Sequence, residues 1–233
     1  MTGTPSPAGS DPYGIMLPMP ITNIVLIRHG ETAWNADRRL QGHIDIALNA
    51  EGLRQADALG AALAGEHFDA IVASDLRRAW QTADAVAATR GIPVQQDPGL
   101  RERCFGGFEG LLYAEIEQHF PVEFAAWQAR EVDAPMPPGP RNAETFRQFY
   151  QRAVGAMLRQ AQAHPGKSIA LVAHGGVLEC AYRAALGLPL ETPRTFPVLN
   201  ASVNRFTVDN GVLRLDSWGE VAHLAPRTLD ELS

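Results

Sequence analysis

The chain has 233 residues and a formal net charge of -6, and its 45% hydrophobic content is typical of a globular protein with a substantial core. Of its 20 basic residues, 19 are arginine and one is Lys167. No apolar run reaches the roughly 20 residues that a membrane-spanning helix needs, and an acidic chain without a basic cluster does not favour nucleic acid as a partner. We therefore expect a small diffusible partner, and we expect most of the arginines to lie on solvated helix faces.

Cysteine content and the composition of the N-terminus bear on compartment and domain organisation. Cys104 and Cys180 form neither a metal motif nor a disulfide framework, which favours a reducing, cytoplasmic location. The first 20 residues hold five of the 17 prolines and neither Lys nor Arg, so they lack the features of a secretory signal. They are predicted to form a flexible tail over residues 1–20, followed by one domain over residues 21–233.

From residue 23 onward, short apolar runs alternate with helical patterns. Three short runs rich in β-branched residues predict buried strands: 23–27, 70–73 and 168–173. Apolar residues recur at helical spacing in four segments: 50–64, 75–89, 143–163 and 176–187. Ser74 or Asp75 is the expected N-cap of the second helix.

Strands that alternate with helices predict an α/β fold, here a three-layer α/β/α sandwich around a mostly parallel sheet. Segments 203–208 and 212–218 alternate around Asp209-Asn210-Gly211, which predicts a C-terminal hairpin that adds antiparallel edge strands. Residues 104–142 combine two short helical patterns with a proline-rich loop and predict an inserted helical lid. Since an exposed edge strand can support a dimer, both a monomer and a homodimer stay open.

The residues that follow the predicted strands indicate the chemistry, because ligands of open α/β sheets bind beyond the carboxyl ends of the strands. Arg28 and His29 follow the first strand, Arg78 lies shortly after the second, and His174 directly follows the third. Cations around two imidazoles would repel a metal ion, whereas the planar fork of arginine suits phosphate or carboxylate oxygens. Gly175-Gly176 lead into a helix N-terminus, which also favours an anion. The sequence therefore predicts a phosphate pocket in which a neutral imidazole can attack phosphorus.

Arg28-His29-Gly30-Glu31-Thr32, with Trp34-Asn35, resembles the signature of the histidine phosphatase superfamily, in its phosphoglycerate mutase-like branch. Five further blocks that resemble the family follow in order: Gln41-Gly42 with Asp45 and Leu48; Gly52 with Gln55-Ala56; residues 74–83; Leu100-Arg101-Glu102 with Gly106 and Glu109-Gly110; and Ala173-His174-Gly175-Gly176. The resemblance covers residues 24–223 and is nearest to the small-molecule phosphatases of the branch. It implies that the domain over 21–233 is catalytic.

The resemblance also implies a role for individual residues. His29 would be the nucleophile that becomes phosphorylated, and Glu102 would protonate the leaving oxygen, with Glu31 and Glu109 as alternatives for the acid. Four residues would bind phosphoryl oxygens: Arg28, Asn35, Arg78 and His174. Three weaker candidates for substrate contact are Gln41, Gly42 and Gly175. Neither a metal ion nor a cofactor is implied, and the implied partner is a small phosphorylated metabolite.

Phosphohistidine can discharge to water, as in a phosphatase, or to a sugar-acid hydroxyl, as in a mutase. Mutases of this branch carry Glu-Arg-His-Tyr-Gly where this chain has Glu102-Arg103-Cys104-Phe105-Gly106, and they carry an arginine pair and usually lysines in the following segment. Between residues 104 and 150 this chain has only isolated arginines and no lysine. We therefore expect a phosphomonoester hydrolase of the histidine acid phosphatase type with an apolar, permissive lid. Mutase-type phosphoryl transfer is the alternative, and a catalytically idle phosphate-binding protein is a weaker third reading.

Overall fold

The computed structural model describes residues 20–224, so the predicted tail lies outside the described residues except for Pro20. The described chain contains six strands: β1 (Thr22–Arg28), β2 (Ala70–Ala73), β3 (Val94–Gln96), β4 (Ser168–Ala173), β5 (Val203–Asp209) and β6 (Val212–Glu220). It contains seven helices: α1 (Ala33–Ala36), α2 (Ala50–Ala62), α3 (Arg77–Ala87), α4 (Tyr113–His119), α5 (Pro121–Gln128), α6 (Phe146–Ala163) and α7 (Gly175–Leu186). None of these helices is both long and apolar enough to cross a membrane.

The six strands form one sheet in the order β3-β2-β4-β1-β5-β6. Strands β3, β2, β4 and β1 are parallel to their neighbours, whereas β5 and β6 add antiparallel pairings at one edge. The β5–β6 turn has positive φ at Asn210 (50°) and Gly211 (79°), as a tight two-residue hairpin turn requires. These observations confirm the mostly parallel sheet and the hairpin edge. Strand β3 was not expected, because it is a short edge strand whose two glutamines are exposed.

Helices cover both faces of the sheet because alternate side chains of a buried strand point to opposite sides. Leu26 and Leu171 belong to the core cluster that includes α6 and α7 residues such as Met157. Ile27 and Ile71 belong to the opposite cluster, which includes residues of α2 and α3. The two clusters confirm the three-layer sandwich.

Helix α3 begins two residues later than predicted, and neither Ser74 nor Asp75 is its N-cap. Leu76 occupies that position without a side-chain cap, and the Oδ1 atom of Asp45, from a distant loop, accepts a hydrogen bond from the Arg77 main-chain N–H at 2.7 Å. The two expected caps are engaged elsewhere. The Asp75 carboxylate pairs with Arg101, and the Ser74 hydroxyl contacts His174.

The inserted segment, residues 104–142, is hereafter called the lid. It contains a short 3-10 turn (Gly106–Phe108) followed by α4 and α5. Its aromatic side chains pack on one another and on Met136, and together with Leu40 they form a third hydrophobic cluster separate from the sheet. The expected helical lid is thereby confirmed, and its own small core gives it a defined shape.

The expectation of solvated arginines is wrong for two of them. Arg183 on α7 has a fully buried side chain that pairs with Glu179 at 3.0 Å and donates to the carbonyl oxygens of Pro189 and Thr192. Arg103, directly before the lid, is 4% exposed and donates through Nε to the carbonyl oxygen of Glu144 at 2.9 Å. Burial of a guanidinium is costly unless its donors find acceptors, and Arg183 meets this condition with a carboxylate and two carbonyl oxygens.

Candidate active site

The three strand ends that the sequence singled out lie side by side. The strands β2, β4 and β1 are neighbours in the sheet. Their last residues are in register, with Arg28 opposite Ala173 and Ala73 opposite Val172. The next residues of the three strands, His29, Ser74 and His174, therefore lie at the same edge. The His29 and His174 ring centroids are 5.1 Å apart. An open cavity of about 510 Å³ lies at this edge of the sheet.

Eight of the nine residues singled out from the sequence line this cavity: Arg28, His29, Asn35, Gln41, Gly42, Arg78, Glu102 and Gly175. The ninth, His174, is fully buried beside it. Its Nδ1 atom accepts a hydrogen bond from Arg78 Nε at 3.2 Å, so Nε2 carries the proton and donates to the Ser74 hydroxyl at 2.8 Å. Both ring nitrogens of His174 are thus engaged by protein groups.

The tautomer of His29 follows from one hydrogen bond. Nδ1 lies 2.7 Å from the carbonyl oxygen of Gly30, and a carbonyl can only accept, so Nδ1 carries the proton. Burial, and then the positive charges of Arg78 and Arg28, lower the pKa of His29 well below its usual value of about 6.5. The imidazole is therefore neutral at physiological pH, and the lone pair on Nε2 is available for attack.

Two buried arginines stand next to this imidazole. Arg28 Nη1 donates to the carbonyl oxygen of Val198 at 2.5 Å. Arg78 donates through its Nη atoms to the carbonyl oxygens of Gly42 (2.8 Å) and Ile44 (3.0 Å) in addition to its contact with His174. Burial lowers the pKa of Arg78 to about 10, which still leaves it charged at neutral pH. Their combined field favours an anion in the cavity.

The loop around α1 orients Asn35. The Oδ1 atom of Asn35 accepts from the Thr32 main-chain N–H at 3.1 Å and from the Thr32 hydroxyl at 3.0 Å. Thr32 Oγ1 also lies 3.0 Å from Gln41 Oε1, which links the two candidate residues. Because the amide oxygen of Asn35 is occupied, its Nδ2 group is the donor that the residue can offer to the cavity.

Glu102 lines the cavity, and two main-chain N–H groups fix the orientation of its carboxyl group. Its Oε1 atom accepts from the main-chain N–H of Arg103 at 2.8 Å, and its Oε2 atom accepts from that of Gly176 at 3.0 Å. The alternatives do not line the cavity. Glu31 accepts a hydrogen bond from Asn49, and Glu109 binds the main-chain N–H groups of His43 and Phe105. The geometry therefore favours Glu102 as the acid.

Several lining residues were not expected from the sequence. These are Arg103, directly before the lid, and four lid residues: Phe105, Tyr113, Trp127 and Arg130. Tyr113 stacks on Trp127 with ring centroids 5.6 Å apart. The aromatic side chains agree with the expected apolar lid, but the two arginines do not. Ser74 was also missed as a site residue. The sequence signal was available for Arg103, which directly follows Glu102, whereas Ser74 becomes informative only through its contact with His174.

Within residues 20–224 no group of three His, Cys, Asp or Glu side chains has the arrangement of a metal site. The expectation of metal-independent chemistry stays a prediction.

Comparison with known proteins identifies relatives along almost the whole described chain. The family model for histidine phosphatase superfamily (branch 1) matches residues 24–221, which confirms the resemblance. The chain is 37% identical to phosphoglycerate mutase-like protein 4 of Arabidopsis thaliana, over 86% of each chain. It is also 37% identical to a metal-independent phosphoserine phosphatase of the same plant, over 88% of this chain and 84% of the relative. Among solved structures, Bacillus stearothermophilus YhfR superposes with a TM-score of 0.79 at 36% identity, covering 87% of this chain and 98% of that one.

Proposed function

This chain belongs to the histidine phosphatase superfamily, and from that premise we propose that it is a phosphomonoester hydrolase that acts through a phosphohistidine on a small phosphorylated metabolite. The observation that carries the proposal is the state of His29. Its Nδ1–H is committed to the Gly30 carbonyl oxygen, its Nε2 lone pair is available, and Arg28 and Arg78 lie beside it. A phosphatase of the histidine acid type needs this combination of a neutral nucleophile and fixed positive charge.

In the first step the His29 Nε2 atom attacks phosphorus, and the bond between phosphorus and the ester oxygen breaks. The guanidinium groups of Arg28 and Arg78 and the Nδ2 donor of Asn35 bind the non-bridging oxygens, where charge is spread in a loose transition state. Glu102, in its protonated form, gives its proton to the departing oxygen, so the product leaves as an alcohol.

His174 has a supporting place in this step. Its ring holds Arg78 Nε and the Ser74 hydroxyl, so it fixes the orientation of the Arg78 guanidinium. Because both ring nitrogens are occupied, His174 can bind a phosphoryl oxygen only if its hydrogen bond to Arg78 or to Ser74 breaks.

In the second step Glu102, now a carboxylate, takes a proton from water as the water oxygen attacks phosphorus. The bond from phosphorus to Nε2 breaks, inorganic phosphate leaves, and both His29 and Glu102 return to their starting forms. Because the same carboxyl group first gives and then takes the proton, the cycle closes without a metal ion.

Hydrolysis is favoured over mutase chemistry by the charge balance of the lid region. Each arginine between residues 104 and 150 has a carboxylate partner: Arg130 pairs with Glu179, Arg141 with Glu109, and Arg147 with Asp133. A mutase must bind the second phosphate of a bisphosphate intermediate, and these three arginines are already held by carboxylates. One of the named relatives is a metal-independent phosphoserine phosphatase, which supports the same choice.

The proposal is tested by release of phosphate from p-nitrophenyl phosphate and from a panel of phosphorylated metabolites, with a chelator present. Conversion of 3-phosphoglycerate in the presence of bisphosphoglycerate serves as the mutase control. We expect metal-independent phosphate release that is abolished in His29→Ala. Isomerisation of 3-phosphoglycerate without phosphate release would support mutase-type phosphoryl transfer instead. Phosphate binding without turnover would support a catalytically idle phosphate-binding protein.

A further inference from the structure

Helix α2 approaches the backbone next to His29 through two residues that the proposed chemistry does not use, Gly52 and Gln55. They stand three positions apart, so they lie on the same face of the helix. A Cβ atom at position 52 would lie 2.0 Å from the carbonyl oxygen of Glu31, so only glycine lets the helix come this close. Gln55 is 0% exposed, and its Oε1 atom accepts a hydrogen bond from the main-chain N–H of Glu31 at 2.9 Å. This block of the sequence therefore contacts the segment that follows the nucleophile.

One peptide group joins Gln55 to the nucleophile. The carbonyl oxygen of Gly30 and the N–H of Glu31 belong to the same planar peptide group and point in opposite directions. The carbonyl oxygen accepts from His29 Nδ1–H at 2.7 Å, whereas the N–H donates to Gln55 on the other side. The orientation of this peptide group therefore determines whether an acceptor or a donor faces His29 Nδ1.

The backbone groups on either side of this peptide are fixed. The main-chain N–H of Gly30 donates to the Thr82 hydroxyl at 3.0 Å, and the carbonyl oxygen of Glu31 accepts from the main-chain N–H of Asn49 at 3.0 Å. Rotation about the two bonds that flank the peptide group turns it over with little movement of its neighbours, and glycine at position 30 permits a wide range of backbone angles. Turned over, the peptide group would direct the Glu31 N–H at His29 Nδ1.

The turned peptide group would inactivate the imidazole. His29 Nδ1 would then accept a hydrogen bond from the Glu31 N–H, and the ring proton would move to Nε2. Nε2 would lose the lone pair that attacks phosphorus in the proposed mechanism. Gln55 opposes this state, because the turned carbonyl oxygen of Gly30 would face its Oε1 atom, and two acceptors cannot form a hydrogen bond.

The side-chain amide of Gln55 is itself oriented. Its Nε2 group donates to the Oε1 atom of Glu51 at 3.2 Å, one turn earlier on α2. Exchange of the amide oxygen and nitrogen would break this hydrogen bond and place two donors, the Gln55 amide and the Glu31 N–H, against each other. The Glu51 carboxylate thus keeps the accepting atom of Gln55 towards Glu31.

We propose that Gln55 is a positioning residue: it holds the Gly30–Glu31 peptide group so that His29 carries its proton on Nδ1 and presents an unprotonated Nε2 atom. The proposal rests on the proposed function and deepens it by naming the residue that sets the tautomer of the nucleophile. Gln55 does not line the cavity, so it acts only through the backbone.

The direct test reads the tautomer of His29 by nuclear magnetic resonance. In isotope-labelled histidine the two ring nitrogens give different signals according to which one carries hydrogen, and His29→Ala identifies the signals of this ring. We expect Nδ1–H in the unmodified protein. Gln55→Met has a similar length but no oxygen acceptor, and it should convert most of the rings to Nε2–H. Gln55→Asn, whose amide is one methylene too short, should shift the tautomer in the same direction.

The activity should follow the tautomer. We expect kcat of Gln55→Met to fall at least about tenfold, in proportion to the fraction of rings that keep Nδ1–H, while KM changes little. The substitution impairs attack on phosphorus and leaves protonation of the leaving group intact. The losses on alkyl phosphates and on p-nitrophenyl phosphate should therefore be equal.

Two further variants separate positioning from packing. Gln55→Glu keeps an accepting oxygen, and burial next to Glu51 favours its protonated form, which also keeps a donor, so this variant should retain Nδ1–H. Gln81→Met is the matched control. Gln81 on α3 also accepts from a main-chain N–H, that of Leu48, at 2.9 Å, but this hydrogen bond does not involve the backbone next to His29. Gln81→Met should leave the tautomer unchanged.

The tautomer is measured without turnover, which separates this proposal from the proposed function. If the unmodified protein does not hydrolyse even p-nitrophenyl phosphate, the hydrolase proposal fails, and the signals of His29 still decide the role of Gln55. If Gln55→Met does not fold, Gln55→Asn decides alone. Nε2–H in the unmodified protein, Nδ1–H retained in the folded Met and Asn variants, loss of Nδ1–H in Gln55→Glu, or an equal shift in Gln81→Met would overturn the proposal.

Discussion

The carboxyl group of Glu102 rests on the first turn of α7, where the main-chain N–H of Gly176 donates to its Oε2 atom at 3.0 Å. The same glycine leaves the space that the carboxyl group fills, because a Cβ atom at position 176 would lie 2.2 Å from Oε1. One residue thus supplies both a hydrogen bond and the room for the proposed acid. The double-glycine motif, which indicated an anion site at the sequence level, has here an additional role in positioning a protein carboxyl group.

Gly176→Ala should therefore displace Glu102 and impair proton donation; its Cβ would also lie 2.8 Å from the ring of the buried Phe149, so the fraction of folded protein is measured alongside. We expect kcat for alkyl phosphates to fall about 100-fold, the lower end of the roughly 10²- to 10⁴-fold that general acid catalysis contributes. Turnover of p-nitrophenyl phosphate should fall less, since its leaving group departs readily without a proton.

The comparison of the two substrate types makes this test specific. Gly155→Ala is the matched control, because its added Cβ would meet only the flexible end of Arg159, at 3.3 Å. Equal losses on alkyl and nitrophenyl phosphates in Gly176→Ala would show that the substitution acts by another route than the acid.

The loop that carries Glu102 depends on a pair outside the cavity. Arg152 donates to the carbonyl oxygens of Gly99, Arg101 and Glu102 at 2.9–3.0 Å and forms two hydrogen bonds of 2.6 Å to the Glu144 carboxylate. Glu144 in turn accepts from the main-chain N–H of Cys104 at 3.0 Å. The pair therefore fixes both sides of Glu102.

Arg152→Met should lower the free energy of unfolding by about 2–3 kcal/mol, because it leaves a largely buried carboxylate and three carbonyl oxygens without their donor. Urea denaturation measures this change. Arg147→Met, on the same helix but in an exposed pair, should change it by no more than about 0.5 kcal/mol. A similar loss of unfolding free energy in the two variants would contradict the proposed role of Arg152 in holding the loop that carries Glu102.

Acid should destabilise the fold through the two buried imidazoles. Desolvation and the charge of Arg78 lower the pKa values of His29 and His174 well below 6.5 in the folded chain, whereas the unfolded chain binds these protons near 6.5. The stability that the neutral rings contribute is fully present above pH 6.5 and is lost as the pH falls below it. Each ring adds a slope of up to about 1.4 kcal/mol per pH unit.

Urea unfolding between pH 7.5 and 5 measures this slope directly. His174→Asn should flatten it, since it removes one of the imidazoles whose pKa lies well below 6.5 in the folded chain. His67→Asn is the control, because that side chain is 81% exposed. An unchanged slope in His174→Asn would mean that this imidazole is not held neutral by the fold.

The sequence predicted the framework of the site because its main signals are local. The apolar runs of β1, β2 and β4 and the residues that follow them were sufficient to bring His29 and His174 to one edge of the sheet. Strand β3 escaped prediction because two of its three residues are exposed glutamines, and its pairing with β2 is a tertiary effect. The burial of Arg103 also escaped prediction, because it depends on contacts with Glu144 and Phe146, which are distant in the sequence.

The central claim, that His29 carries the phosphoryl group, is tested most directly by trapping the intermediate. A radiolabelled phosphomonoester is mixed with the protein, turnover is stopped by denaturation at alkaline pH, and the labelled peptide is mapped. We predict a phosphate that is labile in acid and stable in base, bound to the imidazole of His29, and no labelling of His29→Ala. Label on another residue, or phosphate release at full rate by His29→Ala, would contradict the account.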